Sequence, residues 1–169
     1  DLESGLVNSV EALLRWRHPA MGMIPPDEFI PIAEKTGLIT TVGYWVLETA
    51  CRQIRKWQDA GHEHLTVAVN LSALQFRQGD LLERIHDTLE CTNICAHQLE
   101  LEITESTIMD DIDAASLTMR ELHCSGVRIS IDDFGTGYSS LSHLKRFPIN
   151  TVKIDRSFIR DITTDSDDA

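Results

Sequence analysis

Two kinds of apolar pattern alternate along the chain. Short β-branched runs near Val7–Leu14, Leu65–Leu71, Leu99–Thr104, Val127–Asp132 and Asn150–Asp155 predict strands, and between them apolar residues recur at helical spacing. The longest helical pattern covers Thr40–Ala60, where Val42, Trp45, Val46, Ala50, Ile54 and Trp57 form one stripe and Gly61 follows as a stop signal. A shorter helix is predicted to start at Pro25-Pro26-Asp27, with Asp27 as capping carboxylate, and to stop near Gly37. Further helices are predicted near Asp80–Glu90, Asp113–His123 and Ser139–Lys145. The order βααβαβαβαβ implies parallel strands joined by right-handed crossovers, an α/β class. No internal repeat or low-complexity tract interrupts it, and the stretch from Asp161 to Ala169 loses periodicity and is expected to fray.

Within the strands, one parity is apolar: Val10/Ala12/Leu14, Val67/Val69/Leu71, Leu99/Leu101/Ile103, Ile129/Ile131 and Val152/Ile154. The opposite parity is mostly polar and carries Glu11, Leu13 and Arg15, then Asn70, then Glu100 and Glu102, then Asp132, then Lys153 and Asp155. Parallel sheets are covered on their faces, so a polar second face fits poorly in an ordinary doubly wound sheet. Curling the sheet resolves the conflict. In a (β/α) barrel Glu11, Asn70, Glu102, Asp132 and Lys153 all point inward, toward the C-terminal mouth.

Composition narrows the function. The 169 residues suffice for one domain, with 42% hydrophobic and 25% charged residues typical of soluble globular chains. No apolar run approaches a membrane span, and the first residues lack the shape of a signal peptide, so a soluble cytoplasmic chain without direct membrane contact is expected. A net charge of −12 repels polynucleotides, while a small anionic substrate needs metal cations or a local Arg or Lys. Cys51, Cys91, Cys95 and Cys124 form no C-x-x-C pair, which suits a reducing compartment. Cys91, Cys95 and His97 lack a fourth zinc ligand, and the thiols are expected to be buried or half-buried structural groups.

Carboxylates and an amide converging inside a barrel repel one another unless cations sit between them. Oxygen donors without His or Cys select Mg²⁺, Mn²⁺ or Ca²⁺. Asp133 follows Asp132 directly, and adjacent carboxylates at a strand end suit a pair of ions of the kind used in phosphodiester hydrolysis; taken singly, each is equally a helix cap. Lys153 is placed to orient or deprotonate an attacking water or to hold a phosphate oxygen, against a structural ion pair with Glu102 or Asp132. Arg15 is placed to grip phosphate, against a rim salt bridge. The glycines of Asp132-Asp133-Phe134-Gly135-Thr136-Gly137 permit a tight loop, with Ser139 or Ser140 to cap the next helix and Glu105 as a neighbour able to hold the loop.

Glu11-Ala12-Leu13 within Val-Glu-Ala-Leu-Leu-Arg-Trp, Asn70-Leu71-Ser72, Glu102-Ile103-Thr104-Glu105, Asp132-Asp133-Phe134-Gly135-Thr136-Gly137 and Val152-Lys153-Ile154-Asp155 resemble the signature blocks of the EAL domain family, bacterial phosphodiesterases that linearise cyclic di-GMP. The resemblance implies a modified TIM barrel and two Mg²⁺ or Mn²⁺ ions held by Glu11, Asn70, Glu102, Asp132 and Asp133. It further implies that Lys153 assists the water, that Glu105 braces the Asp132–Gly137 loop, and that Leu13, Arg15 and Asp155 contact substrate, with pGpG as product. A homodimer formed through the loop and helix after Asp133 is implied as well. EAL domains also carry a first strand with a Gln-Pro pair and two later strands bearing a glutamate and a glutamine, so the chain is expected to be about two thirds of a domain, an incomplete barrel of five parallel strands. Two other readings compete: a non-catalytic sensor that binds the same ligand, and an enolase-like barrel in which a lysine abstracts a proton.

Overall fold

In the computed structural model of the chain, residues 1–135 and 146–157 are described. Five strands form one sheet in the order β1 (Ser9–Ala12), β4 (Thr66–Asn70), β5 (Leu99–Thr104), β6 (Arg128–Phe134) and β7 (Thr151–Ile154). Every neighbouring pair is parallel. Helices α1 (Pro26–Lys35) and α2 (Leu38–Asp59) connect β1 to β4, α3 (Ala73–Phe76) and α4 (Leu81–Thr92) connect β4 to β5, and α5 (Glu105–Met109) and α6 (Ile112–Cys124) connect β5 to β6. The sheet is the curled part-barrel that the alternating parities require.

The core lies between the outer face of this sheet and the helices. Leu99, Leu101, Ile103, Ile129 and Ile131 are fully buried, against Leu47 and Ile54 of α2, Ile85 of α4, and Met119 and Leu122 of α6. Each such side chain contributes roughly 1.5–3 kcal/mol of apolar burial. Glu100, Glu102 and Ser130, on the opposite parity, are also buried, so both faces of β5 and the middle of β6 are covered. Glu100 is matched there by Arg128 Nε at 3.1 Å across the β5–β6 pair.

The structure departs from the sequence pattern in several places. An antiparallel hairpin, β2 (Trp16–His18) with β3 (Gly22–Ile24), follows β1, where the alternation is too short to register as strands. Pro25 occupies the N-cap position of α1 and Asp27 lies inside its first turn, where it complements the helix dipole without capping. Of the cysteines only Cys51 is buried; Cys91, Cys95 and Cys124 are exposed, which corrects the expectation of buried or half-buried thiols, because each lies at or beyond the solvent end of a helix. Val152 and Ile154 remain exposed, since β7 is the last strand of the described sheet and no described helix packs over it. The predicted helix over 139–145 and the fraying stretch 161–169 lie outside the described residues.

Candidate functional site

The parallel register brings the polar ends of the strands together. Asn70 stands opposite Glu102 across β4–β5, and Thr104 opposite Asp132 across β5–β6. Lys153 on β7 reaches over them from the far side of the sheet. Its Nζ lies 2.8 Å from Glu102 Oε2, 3.3 Å from Glu11 Oε2 and 3.8 Å from Asp132 Oδ2, so one ammonium gathers the carboxylates of three strands. Asn70 Nδ2 donates to Glu11 Oε1 at 2.8 Å, tying β4 to β1 at the same level.

Burial divides these groups. Burial raises the Glu102 pKa, Lys153 opposes the rise, and the negative charges of Glu11 and Asp132 add to it. The half-exposed Glu11 carboxyl is pushed up by burial but held below its ordinary range overall by Asn70 and Lys153. For Lys153 burial works against the charged form, yet the surrounding carboxylates outweigh it and raise its pKa, so the side chain is an ammonium at neutral pH.

Asp133 is carried by a distortion of β6. The β6–β7 register shifts between Ile131 and Phe134, and Asp133 takes φ 53°, a left-handed conformation that asparagine and aspartate tolerate better than most residues. The bulge presents two consecutive carboxylates at the strand end, and burial together with Asp132 and Asp155 raises the Asp133 pKa. Gly135, at φ 101°, donates its N–H to Glu105 Oε2 at 2.8 Å, and Glu105 is itself buried in the first turn of α5. The start of the loop is thereby anchored to the helix that follows β5; Thr136 and Gly137 lie outside the described residues.

A cleft of about 400 Å³ opens beside this cluster, with Glu11, Asn70 and Glu102 in its wall. Leu13 and Arg15 line it from the β1 end, where Arg15 donates to the Leu14 carbonyl and forms no rim ion pair among the described residues. Asp155 accepts from the N–H and hydroxyl of Ser157 and does not line the cleft, while its charge bears on Asp133. Two lining features are not singled out by the sequence pattern. Ser72 and Gln75 form a capping box at α3, whose S-x-x-Q spacing is legible in the sequence, and the Gln75 amide lies flat against Gly43 of α2. Glu34 of α1 also lines the cleft, one helical turn after Ile30.

Among the described residues no three His, Cys, Asp or Glu side chains come together closely enough to hold one metal ion by themselves. The oxygens of Glu11, Glu102 and Asp132 face Lys153 Nζ. The donor set is oxygen only and already concentrated on positive charge, which fits Mg²⁺ or Mn²⁺. No helix among the described residues is long and apolar enough to cross a membrane.

A family signature described as EAL domain matches residues 1–169. MucR of Pseudomonas aeruginosa, named a bifunctional diguanylate cyclase/cyclic di-GMP phosphodiesterase, is 53% identical over 166 residues, which is 98% of this chain and 24% of that protein. NbdA of the same organism, named a cyclic di-GMP phosphodiesterase, is 47% identical over 161 residues, covering 95% of this chain and 21% of that protein. The solved MucR phosphodiesterase in complex with c-di-GMP superposes with a TM-score of 0.92 at 53% identity, covering 97% of this chain and 66% of that one. The chain thus spans about a quarter of the length of these curated relatives.

Proposed function

The chain belongs to the EAL domain family, and from that premise we propose that it is a metal-dependent phosphodiesterase that hydrolyses cyclic di-GMP to linear pGpG. The observation that carries the proposal is the convergence of Glu11, Glu102 and Asp132, from three strands, on one cationic centre beside a cleft lined by Arg15. The names of the relatives, and the c-di-GMP held by the MucR structure, support the choice of substrate.

Glu11, Asn70, Glu102, Asp132 and Asp133 are the residues that would hold the two ions. Bound divalent ions supply positive charge to the phosphodiester oxygens and make water more acidic. Hydrolysis forms a bond from a water oxygen to one phosphorus and breaks the bond to O3′, which takes up a proton; the product keeps a 5′-phosphate. Lys153, held protonated by its carboxylate neighbours, acts as donor and positive charge toward the water or the phosphate rather than as a base at neutral pH. Arg15 grips a phosphate at the open side of the cleft, and Leu13 packs on the ligand. Glu105 keeps the start of the Asp132–Gly137 loop in register through Gly135. Asp155 reaches the substrate only after its Ser157 hydrogen bonds are exchanged.

The ligand carboxylates of the blocks this chain does span, Glu11, Glu102, Asp132 and Asp133, are all present, which favours the enzyme over a non-catalytic sensor. The homodimer belongs to the same proposal, and its implied surface falls mainly on residues 136–145, outside the described residues. Incubation with cyclic di-GMP and Mn²⁺, followed by chromatography for pGpG, tests the activity, and sedimentation of the same sample tests the dimer. Ligand binding without pGpG would favour the sensor.

A further inference from the structure

The buried acids and hydroxyls around the strand ends are paired: Glu100 with Arg128, Glu102 with Lys153, Glu105 with Gly135 and Thr107 with Thr104. Ser130, in the middle of β6, is not. It is 0% exposed, and its Oγ has no hydrogen-bond partner among the described residues. A buried hydroxyl left unpaired costs stability, so its position calls for a reason.

That position is beside the carboxylate cluster. Ser130 shares the inward parity of Asp132, two residues further along β6, while Ile129 and Ile131 on either side of it pack in the core. The register sets it directly opposite Glu102 on β5 and opposite Thr151 on β7, two residues before Lys153. Paired strands lie about 4.8 Å apart, so a rotation of the Glu102 side chain brings a carboxylate oxygen to the Ser130 hydroxyl. Lys153 holds Glu102 Oε2 at 2.8 Å instead. A divalent ion among Glu11, Glu102 and Asp132 competes with that ammonium for their oxygens. Carboxylates that ligate metals are in turn hydrogen-bonded from behind, and Ser130 is an inward donor at the register position of Glu102 whose hydrogen bond is unused.

We propose that Ser130 is a positioning residue for the metal-bound state: its hydroxyl donates to the Glu102 carboxylate when Glu102 turns from Lys153 to a divalent ion, and fixes it there. This rests on the reading of the chain as a metal-dependent phosphodiesterase and adds a residue that touches neither metal nor substrate.

The test measures Mn²⁺ binding in the absence of substrate by wild type, Ser130→Ala and Ser130→Cys, from the electron paramagnetic resonance signal of free Mn²⁺. Thermal melts in chelator and pGpG formation are measured on the same proteins. Alanine deletes the donor, and cysteine refills its space with a much weaker one. Loss of a donor behind a metal ligand lowers metal affinity by about 10- to 100-fold, so both variants should bind Mn²⁺ at least about 10-fold more weakly than wild type. In chelator the hydroxyl has no partner to lose, so Ser130→Ala should melt within about 2 °C of wild type or above it. If wild type binds Mn²⁺ and both variants bind it equally well, the inference is overturned and the functional reading stands. The same holds if Ser130→Cys keeps wild-type affinity while Ser130→Ala loses it, which would make the effect one of packing, or if Ser130→Ala melts well below wild type in chelator. If wild type neither binds Mn²⁺ nor forms pGpG, the functional reading falls and takes the inference with it.

Discussion

Replacing Lys153 by methionine removes the cation on which three carboxylates converge and keeps an apolar stem of similar length. The ammonium that disappears lies 2.8 Å from Glu102, 3.3 Å from Glu11 and 3.8 Å from Asp132. Removing one member of a fully buried ion pair costs about 3–5 kcal/mol, and of an exposed pair about 0–1 kcal/mol. The Glu102 side chain is 3% exposed and Lys153 34%, which places the cost between these limits, at about 2 kcal/mol in chelator at pH 7. For a chain of this size that is a fall in Tm of about 4–8 °C. The pH dependence is the sharper readout. Glu11, held below its ordinary range in the native protein, contributes stability present above the unfolded carboxylate pKa and lost as pH falls through its folded value. Glu102, raised by burial, behaves oppositely: its ionised form costs stability that is regained as pH falls through its folded value toward the unfolded one. Without Lys153 the first contribution shrinks and the second cost grows. Acidification from pH 7 toward the ordinary carboxylate range should therefore narrow the gap between wild type and Lys153→Met, measured by denaturant melts at each pH in chelator. Equal stability at pH 7, or a gap that widens on acidification, would refute the account of the cluster.

Glu105→Ala removes a buried acceptor from Gly135 N–H and should cost about 1.5–3 kcal/mol in urea unfolding, with a larger loss of turnover at low Mn²⁺ than at saturating Mn²⁺. Cys51, its thiol pushed up to about 12 by burial, should resist a thiol reagent in the native protein while exposed Cys91, Cys95 and Cys124 react; fast modification of all four cysteines before unfolding would contradict the packing of α2. Gly43→Ala would set a Cβ 2.2 Å from Gln75 Oε1, displacing a buried amide that caps α3; a loss of about 1–3 kcal/mol is expected, and a neutral effect would mean that Gln75 repacks freely.

Much of this arrangement is legible in the sequence because a strand has a period of two. Glu11, Asn70, Glu102, Asp132 and Lys153 share a parity against apolar neighbours, and that alone places them on one face of a curled sheet. The same rule cannot say how far each reaches. Lys153 bridging Glu11, four strands away in sheet order, depends on the curvature of the sheet rather than on any local pattern. The bulge at Asp133 is likewise a product of β6–β7 pairing, and the β2–β3 hairpin has strands of three residues each, too short for periodicity to declare. At Asp155 the parity says nothing of the local hydrogen bonds: a serine two residues on donates to it at the strand end. Glu34 is not legible as a cleft residue in the sequence, because a lone glutamate at helical spacing looks like a solvated surface position.

The most direct test of the central claim is ³¹P NMR of cyclic di-GMP incubated with Mg²⁺ and either wild type or Glu11→Ala, with a parallel wild-type sample kept in chelator. Wild type with metal should convert the diester signal into one phosphomonoester and one remaining diester in equal amounts, as pGpG requires, and the chelated sample should not. Glu11→Ala should leave the substrate spectrum unchanged while retaining the fold by circular dichroism. No monoester from wild type, or the same conversion by Glu11→Ala or in chelator, would contradict the assignment of these inward carboxylates to metal-dependent hydrolysis.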